Sequence, residues 1–199
     1  MTSTKAQQYL SDNDPVMASL TTRYGSIDRS SGREDYFESL VRSVVSQQLS
    51  VSAARTIFGR LADKTNLQRE KILQLTPEEM KVIGLSSQKQ NYIKDLAVHF
   101  TENDYSDSAF DTMSDDDVIT HLVKIKGIGE WTAQMFLMFT LRRPDVFAPG
   151  DRGLQVAINR LYSVGGDKPK PSELVEFAER WAPYRTTACM YLWESLENS

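Results

Sequence analysis

At 199 residues, the chain is long enough to bury a real core, as one domain or as two small lobes. Its single cysteine, Cys189, excludes an internal disulfide, a cysteine zinc cluster and a four-cysteine iron–sulfur centre. A formal charge of −4 argues mildly against a nucleic-acid partner, because phosphates call for Lys and Arg, unless acidic runs such as Asp115-Asp116-Asp117 face away from a basic cleft.

Met1 to Leu10 is polar and lacks the basic-then-apolar layout of a signal peptide. No stretch is apolar enough for a membrane helix, so a cytoplasmic protein with no membrane partner is expected. Residues 1–33 are expected to supply one helix, with Asp14 as a cap before Pro15. Helical spacing then dominates. Phe37, Leu40, Val41, Val44 and Val45 form one apolar face, followed by Val51, Ala54, Ile57, Phe58 and Leu61. Thr76 with Glu79 reads as a capping box, Gly84 as a helix end and Ser86 as the next cap. Tyr92, Ile93, Leu96, Ala97 and Phe100 make a third face. His99 and His121 have no metal-ligand spacing and read as surface or boundary residues. Ser114 with Asp117 starts a further helix, and Lys168-Pro169-Lys170-Pro171 reads as a stiff polar loop before the last helices. The pattern predicts roughly ten helices with short links and no strands, an all-α fold.

One stretch carries more information than a helix count. A helix is expected to end near Ile125, turn through Gly127-Ile128-Gly129 and restart near Glu130. Glycine opens backbone conformations closed to other residues, and lets the chain approach another group closely. Ile128 can plug back between the two helices. Amides at the N-terminus of the second helix make an anion site that needs no basic side chain. By itself the turn reads equally well as a tight helix–helix connection.

The wider segment, LVKIKGIGEWTAQMFLMFTLRRPDVFAPGDRGL from Leu122 to Leu154, resembles the helix-hairpin-helix glycosylase superfamily. It is most similar to the bacterial 3-methyladenine DNA glycosylase II family and its yeast relatives. Residues 40–50, through Gln47-Gln48, resemble that family's helix-to-loop segment. Trp181 to Trp193 resembles its C-terminal helix. The resemblance implies a single domain, 1–199, of two helical lobes around a DNA-binding cleft. Lobe one would be mainly 34–112, lobe two 113–199 plus the N-terminal helix, and the hairpin motif 114–142. A further N-terminal β-rich lobe of the bacterial relative would be missing here.

The resemblance also implies roles. Gly127, Gly129 and Thr132 would offer amides to a phosphate, with Lys126 beside them. The carbonyls of Val123, Ile125 and Ile128 would hold a sodium or potassium ion, and no other cofactor is required. Gln48, next to Gln47 and Ser50, would be the wedge that fills the hole left by a flipped base; a relative has leucine there, and an amide can also hydrogen-bond the orphaned partner. Trp131 and Trp193 would line the base pocket, with Met135 standing where a relative has an aromatic residue and Tyr36 and Phe37 as lesser candidates. Aromatic faces attract a cationic alkylated purine by about 0.5–2 kcal/mol each. Asp151 would be the catalytic carboxylate, although Asp151 ahead of Arg152-Gly153-Leu154 is also a good helix N-cap. Relatives that nick the strand carry a Schiff-base lysine where this chain has Trp131, so hydrolysis without strand cleavage is expected.

The expected activity is therefore a monofunctional DNA-3-methyladenine glycosylase, a monomer acting on double-stranded DNA with alkylated bases. It would be cytoplasmic and nucleoid-associated in a bacterium, or nuclear in a eukaryote. Three alternatives stay open: a helix-hairpin-helix module that binds DNA without chemistry, a glycosylase for deaminated, etheno or oxidised bases, and a helical scaffold for protein partners. A binding module has no use for Asp151 beside a phosphodiester. A scaffold leaves the Gln-Gln, Gly-Ile-Gly and Asp151 set unexplained.

Overall fold

A computed structural model describes residues 4–27, 35–103, 105, 107–164 and 170–197. Among these, every regular element is helical. In chain order they are α1 (Lys5–Asn13), α2 (Pro15–Tyr24), α3 (Tyr36–Ser46), α4 (Val51–Thr65), α5 (Arg69–Gln74), α6 (Pro77–Ile83), α7 (Ser87–Glu102), α8 (Asp107–Thr112), α9 (Asp115–Leu122), α10 (Glu130–Met135), α11 (Arg152–Tyr162), α12 (Pro171–Ala178) and α13 (Arg185–Glu197). A π-helical turn, Phe136–Thr140, continues from α10, and a 3₁₀ turn, Glu179–Trp181, follows α12. No described helix is long and apolar enough to cross a membrane.

Local chemistry sets many of these boundaries. Thr76 and Glu79 form the expected reciprocal capping box, and Ser86 and Ser114 cap α7 and α9. Gly84 ends α6 at a φ of 112°. The N-terminal segment holds two helices rather than the one expected, because Asp14 acts twice. Its amide closes α1 on the Leu10 carbonyl, and its carboxylate accepts from the amides of Val16 and Met17 to open α2. Lys168 and Pro169 lie outside the described residues; Pro171 opens α12.

The chain divides into two compact units. A contiguous unit comprises residues 31–136, and a split unit joins residues 1–30 to 137–199. The boundary differs from the expected one near residue 113. Residues 113–136 stay with the contiguous unit because the Gln47 amide reaches the Gly127 carbonyl, Asp95 binds Lys126, and Tyr36 packs on Phe136.

In the contiguous unit, α3 packs on α4 and α7, α5 packs on α7 and α6 on both α4 and α7, and Leu40, Val41, Val44, Val45, Leu61, Ile72, Met80, Ile93 and Leu96 are all buried. Burying one such side chain contributes about 1.5–3 kcal/mol. Phe37, Phe100, Tyr105, Phe110, Tyr36 and Phe136 extend this core as a chain of ring contacts. One expected core residue fails. Val51 is 87% exposed, since it stands in the first turn of α4 directly after the Ser50 cap.

In the split unit, the buried Asp14 carboxylate also accepts from the Tyr162 hydroxyl at 2.9 Å and the Trp181 indole at 3.0 Å. The Gln7 amide donates to the Tyr191 hydroxyl, which donates to the Gly25 carbonyl. These bonds tie α1 and α2 to α11, α13 and the 3₁₀ turn, which is why residues so far apart in sequence form one body.

Candidate functional site

The hairpin belongs to the contiguous unit. Helix α9 ends at Leu122, three residues before the expected Ile125. Short turns replace the last helical bonds: the Ile125 amide donates to the Leu122 carbonyl and the Ile128 amide to the Ile125 carbonyl, each at 3.0 Å. Ile125 and Ile128 are buried and plug the turn into the core, while Val123 is exposed. The carbonyls of Val123, Ile125 and Ile128 are all hard oxygen donors on this tight turn, which suits an alkali cation in chemistry.

The two glycines do different work. Gly127 has a φ of 86°, and a Cβ there would sit 2.2 Å from the Tyr92 ring of α7. The fold itself requires glycine at this position. Gly129 has an ordinary φ of −95°, and a Cβ there would meet nothing within 4 Å. Gly129 caps α10 without a side-chain bond, and Thr132 lies buried one turn on. The start of α10 is therefore bare backbone with an open approach.

Around the hairpin stand partners that the sequence did not reveal. Asp95 of α7 accepts from the Lys126 amide at 2.8 Å and pairs with its ammonium at 3.3 Å. His99 Nδ1 lies 3.4 Å from the same carboxylate and is half-buried, the boundary position expected of it. Lys126 is otherwise well exposed, and the pair is worth little energetically at such a surface.

The Gln47-Gln48 segment also belongs to the contiguous unit. Gln47 ends α3, and its Nε2 donates to the Gly127 carbonyl at 2.9 Å. Gln48 is exposed with a φ of 57°, a conformation that costs a non-glycine residue about 1–2 kcal/mol. Ser50 is the cap of α4 and accepts from the Ala53 amide. Leu49 and Val51 are exposed beside them. Lys89, another residue missed in the sequence, donates to the Val45 carbonyl at 2.7 Å and the Gln47 carbonyl at 2.6 Å.

Among the aromatic candidates of this unit, Trp131 is 46% exposed at the start of α10, and Met135 is half-buried at its end. Tyr36 and Phe37 turn out to be core. Tyr36 packs edge-on against Phe110 and Phe136, and Phe37 against Phe100, so their faces are spent on packing rather than on a pocket.

The carboxylate belongs to the split unit. Asp151 caps α11, its Oδ1 accepting from the Leu154 amide at 2.9 Å. The same oxygen accepts from Trp193 Nε1 at 2.9 Å. Trp193 was expected as a pocket wall; its indole edge also orients the carboxylate. The side chain of Asp151 stays half-exposed. Gly153 makes room for this pair, since a Cβ there would lie 3.1 Å from both Asp151 Oδ1 and Trp193 Cδ1. Phe139 of the π-helical turn, 36% exposed, packs on Trp193 at 5.9 Å. No sequence pattern marked Phe139, because the π turn breaks the helical period.

Asp145 is taken by Arg185 through Nε, Nη2 and the backbone amide, which makes it a structural residue. Cys189 is fully buried, and burial pushes its thiol well above the ordinary range, so it stays neutral and inert. Among the described residues no cluster of His, Cys, Asp and Glu could hold a metal ion.

Comparison with known proteins identifies the family. The family model of the HhH-GPD superfamily base excision DNA repair proteins matches residues 41–183. The Bacillus subtilis protein named "Putative DNA-3-methyladenine glycosylase YfjP" is 33% identical over 81% of this chain; the chain spans 59% of that relative's length. DNA-3-methyladenine glycosylase 1 of Schizosaccharomyces pombe is 31% identical, over 96% of this chain and 87% of its own. The solved structure of the S. pombe glycosylase Mag1 in complex with abasic DNA superposes with a TM-score of 0.85 at 30% identity, covering 98% of each chain. The match runs from within α3 through the glycine turn and Asp151 to Pro183, just ahead of α13, and takes in most of the chain, which therefore belongs to the HhH-GPD superfamily of base excision DNA repair proteins.

Proposed function

We propose that this chain is a DNA glycosylase of base excision repair that flips alkylated purines out of duplex DNA and hydrolyses their glycosidic bond, leaving an abasic site. The observation that carries the reading is the Asp151 carboxylate, oriented on one oxygen by both the Leu154 amide and the Trp193 indole. The relatives' shared name and the abasic-DNA complex of one of them support it.

Each part has a task. The open amide end of α10, behind Gly129, would take a backbone phosphate, whose charge the helix dipole favours. A sodium or potassium ion held by the carbonyls of Val123, Ile125 and Ile128 would add positive charge there. Backbone amides and such an ion would let a chain of net charge −4 grip a polyanion. Gln48 would enter the base stack. The exposed face of Trp131 would meet the extruded base by stacking and cation–π attraction.

Alkylation at a ring nitrogen makes the purine cationic, so it departs as a neutral base with the electron pair of the broken bond. Positive charge passes to the deoxyribose, as in sugar hydrolysis. The fixed Asp151 carboxylate would stabilise that charge, and the attacking water completes the exchange by losing a proton. With Trp131 in place of a nucleophilic lysine, no Schiff base forms.

The test is direct. Duplexes bearing 3-methyladenine, 7-methylguanine, ethenoadenine or hypoxanthine are incubated with the protein, and free base is measured. Release of 3-methyladenine is expected, with no covalent adduct on borohydride treatment. Binding without release of any base would leave a DNA-binding module, and a strong adduct would refute hydrolysis without lyase chemistry.

A further inference from the structure

Lys89 stands in the first turn of α7 and points its ammonium at the far end of α3. It donates to the Val45 and Gln47 carbonyls at 2.7 and 2.6 Å. Those carbonyls lie at a helix C-terminus, where backbone acceptors run out of partners and the helix dipole ends negative. Gln48, the next residue along, is exposed with a left-handed backbone. Lys89 therefore anchors the residue immediately behind the strained one.

The same short segment is held a second way. Gln47 Nε2 donates to the Gly127 carbonyl, and Gly127 lies against the Tyr92 ring of α7. Helix α7 thus holds the Gln47-Gln48 turn from one side through Lys89 and the glycine turn from another through Tyr92. Lys89 is partly buried, and this desolvation shifts its pKa downward, so the two carbonyls are the partners that offset the loss of water around its charge.

We infer that Lys89 is the positioning residue of the wedge: by clamping the carbonyls of Val45 and Gln47 it holds Gln48 in its strained, outward pose against the glycine hairpin. This rests on the reading of Gln48 as the wedge. The cation has a second effect. It cancels the negative end of α3 at the place where a duplex would have to come near. Lys89 touches no nucleotide in this account; it acts through Gln48.

The experiment reads the wedge itself, without base release. A duplex carries a tetrahydrofuran abasic analogue with 2-aminopurine opposite, so that insertion of a side chain changes the fluorescence. Wild type is expected to give the change and Gln48→Ala to lose it. Lys89→Met is expected to weaken the response about tenfold or more, the scale of lost charge-assisted hydrogen bonds. In a Gln48→Ala background, where the fluorescence change is gone, the cycle is read as affinity for the same duplex, and Lys89→Met should lower it no further, because the two act as one. Thermal melting checks that each variant folds; if Lys89→Met does not, Lys89→Gln, which keeps one donor, carries the same cycle. An undiminished response from the Lys89 variant, or full additivity with Gln48→Ala, overturns the proposal. So does the absence of any fluorescence change with wild type. A wild type that inserts but releases no base leaves the Lys89 clamp under test and removes only the glycosylase reading.

Discussion

The two units hold their candidate residues in opposite ways. In the split unit a single side chain, Asp151, is fixed by a backbone amide and an indole, and Asp14 beneath α2 is satisfied by four donors. In the contiguous unit the working surface is backbone: the bare start of α10, the turn at Gly127 and the left-handed Gln48. Chemistry at one charge demands a side chain with no freedom. Gripping a strand of any sequence demands groups that every residue carries; in the proposed function the main chain would do this, with side chains such as Lys89 and Asp95 holding it from behind.

The sharpest way to break this comparison is Asp151→Asn. Asparagine caps a helix as well as aspartate does, so the fold should stay intact. Free-base release in single-turnover assays should nevertheless fall by about 10²–10³-fold, the size of removing one preorganised electrostatic group. Retained release would remove Asp151 from the mechanism.

Next come the two glycines, which the structure sets apart. Gly127→Ala must fit a Cβ 2.2 Å from the Tyr92 ring at a positive φ. It should cost about 2–4 kcal/mol in denaturant unfolding, combining overpacking with left-handed strain. Gly129→Ala meets open space and an ordinary backbone, so it should cost well under about 1 kcal/mol of stability. Its loss should appear in duplex affinity, as a methyl group now stands where a phosphate would come closest. Equal unfolding effects would mean the two glycines are not specialised as described.

A smaller effect sharpens the carboxylate side. Trp193→Phe keeps a ring against Phe139 but deletes the donor to Asp151. A lost hydrogen bond to a charged group is worth about 1.5–3 kcal/mol, so kcat should drop roughly tenfold or somewhat more with a smaller change in KM. A change confined to KM would make Trp193 only a wall of the pocket.

Sequence legibility followed the range of each interaction. Helix caps at Asp14, Thr76, Ser86 and Ser114 and the turn at Gly127 are set by neighbours within a few residues, and pattern alone located them. The glycine turn with Asp151 pointed to the superfamily by the resemblance of the whole 122–154 segment. What stayed hidden was contact between distant residues: Lys89 with Gln47, Asp95 with Lys126, Trp193 with Asp151. Tyr36 and Phe37 were read as pocket candidates because an aromatic residue carries no mark of which neighbours will claim its face. Val51 shows the same limit from the other direction, apolar and in helical register yet exposed, because its position in the first turn outweighs its spacing.

The discontinuity of the split unit has a consequence for how the molecule acquires its fold. Residues 31–136 are continuous in sequence, so they can condense as soon as they exist. Helices α1 and α2 must wait for partners more than a hundred residues away, since Gln7 needs Tyr191 and Asp14 needs Tyr162 and Trp181. Closing so large a loop is entropically slow rather than prohibitive. The carboxylate is therefore mounted late, on a body that forms only after its two halves meet. A chain interrupted at residue 136 would keep the residues of the hairpin and lack Asp151 with both of its donors, Leu154 and Trp193.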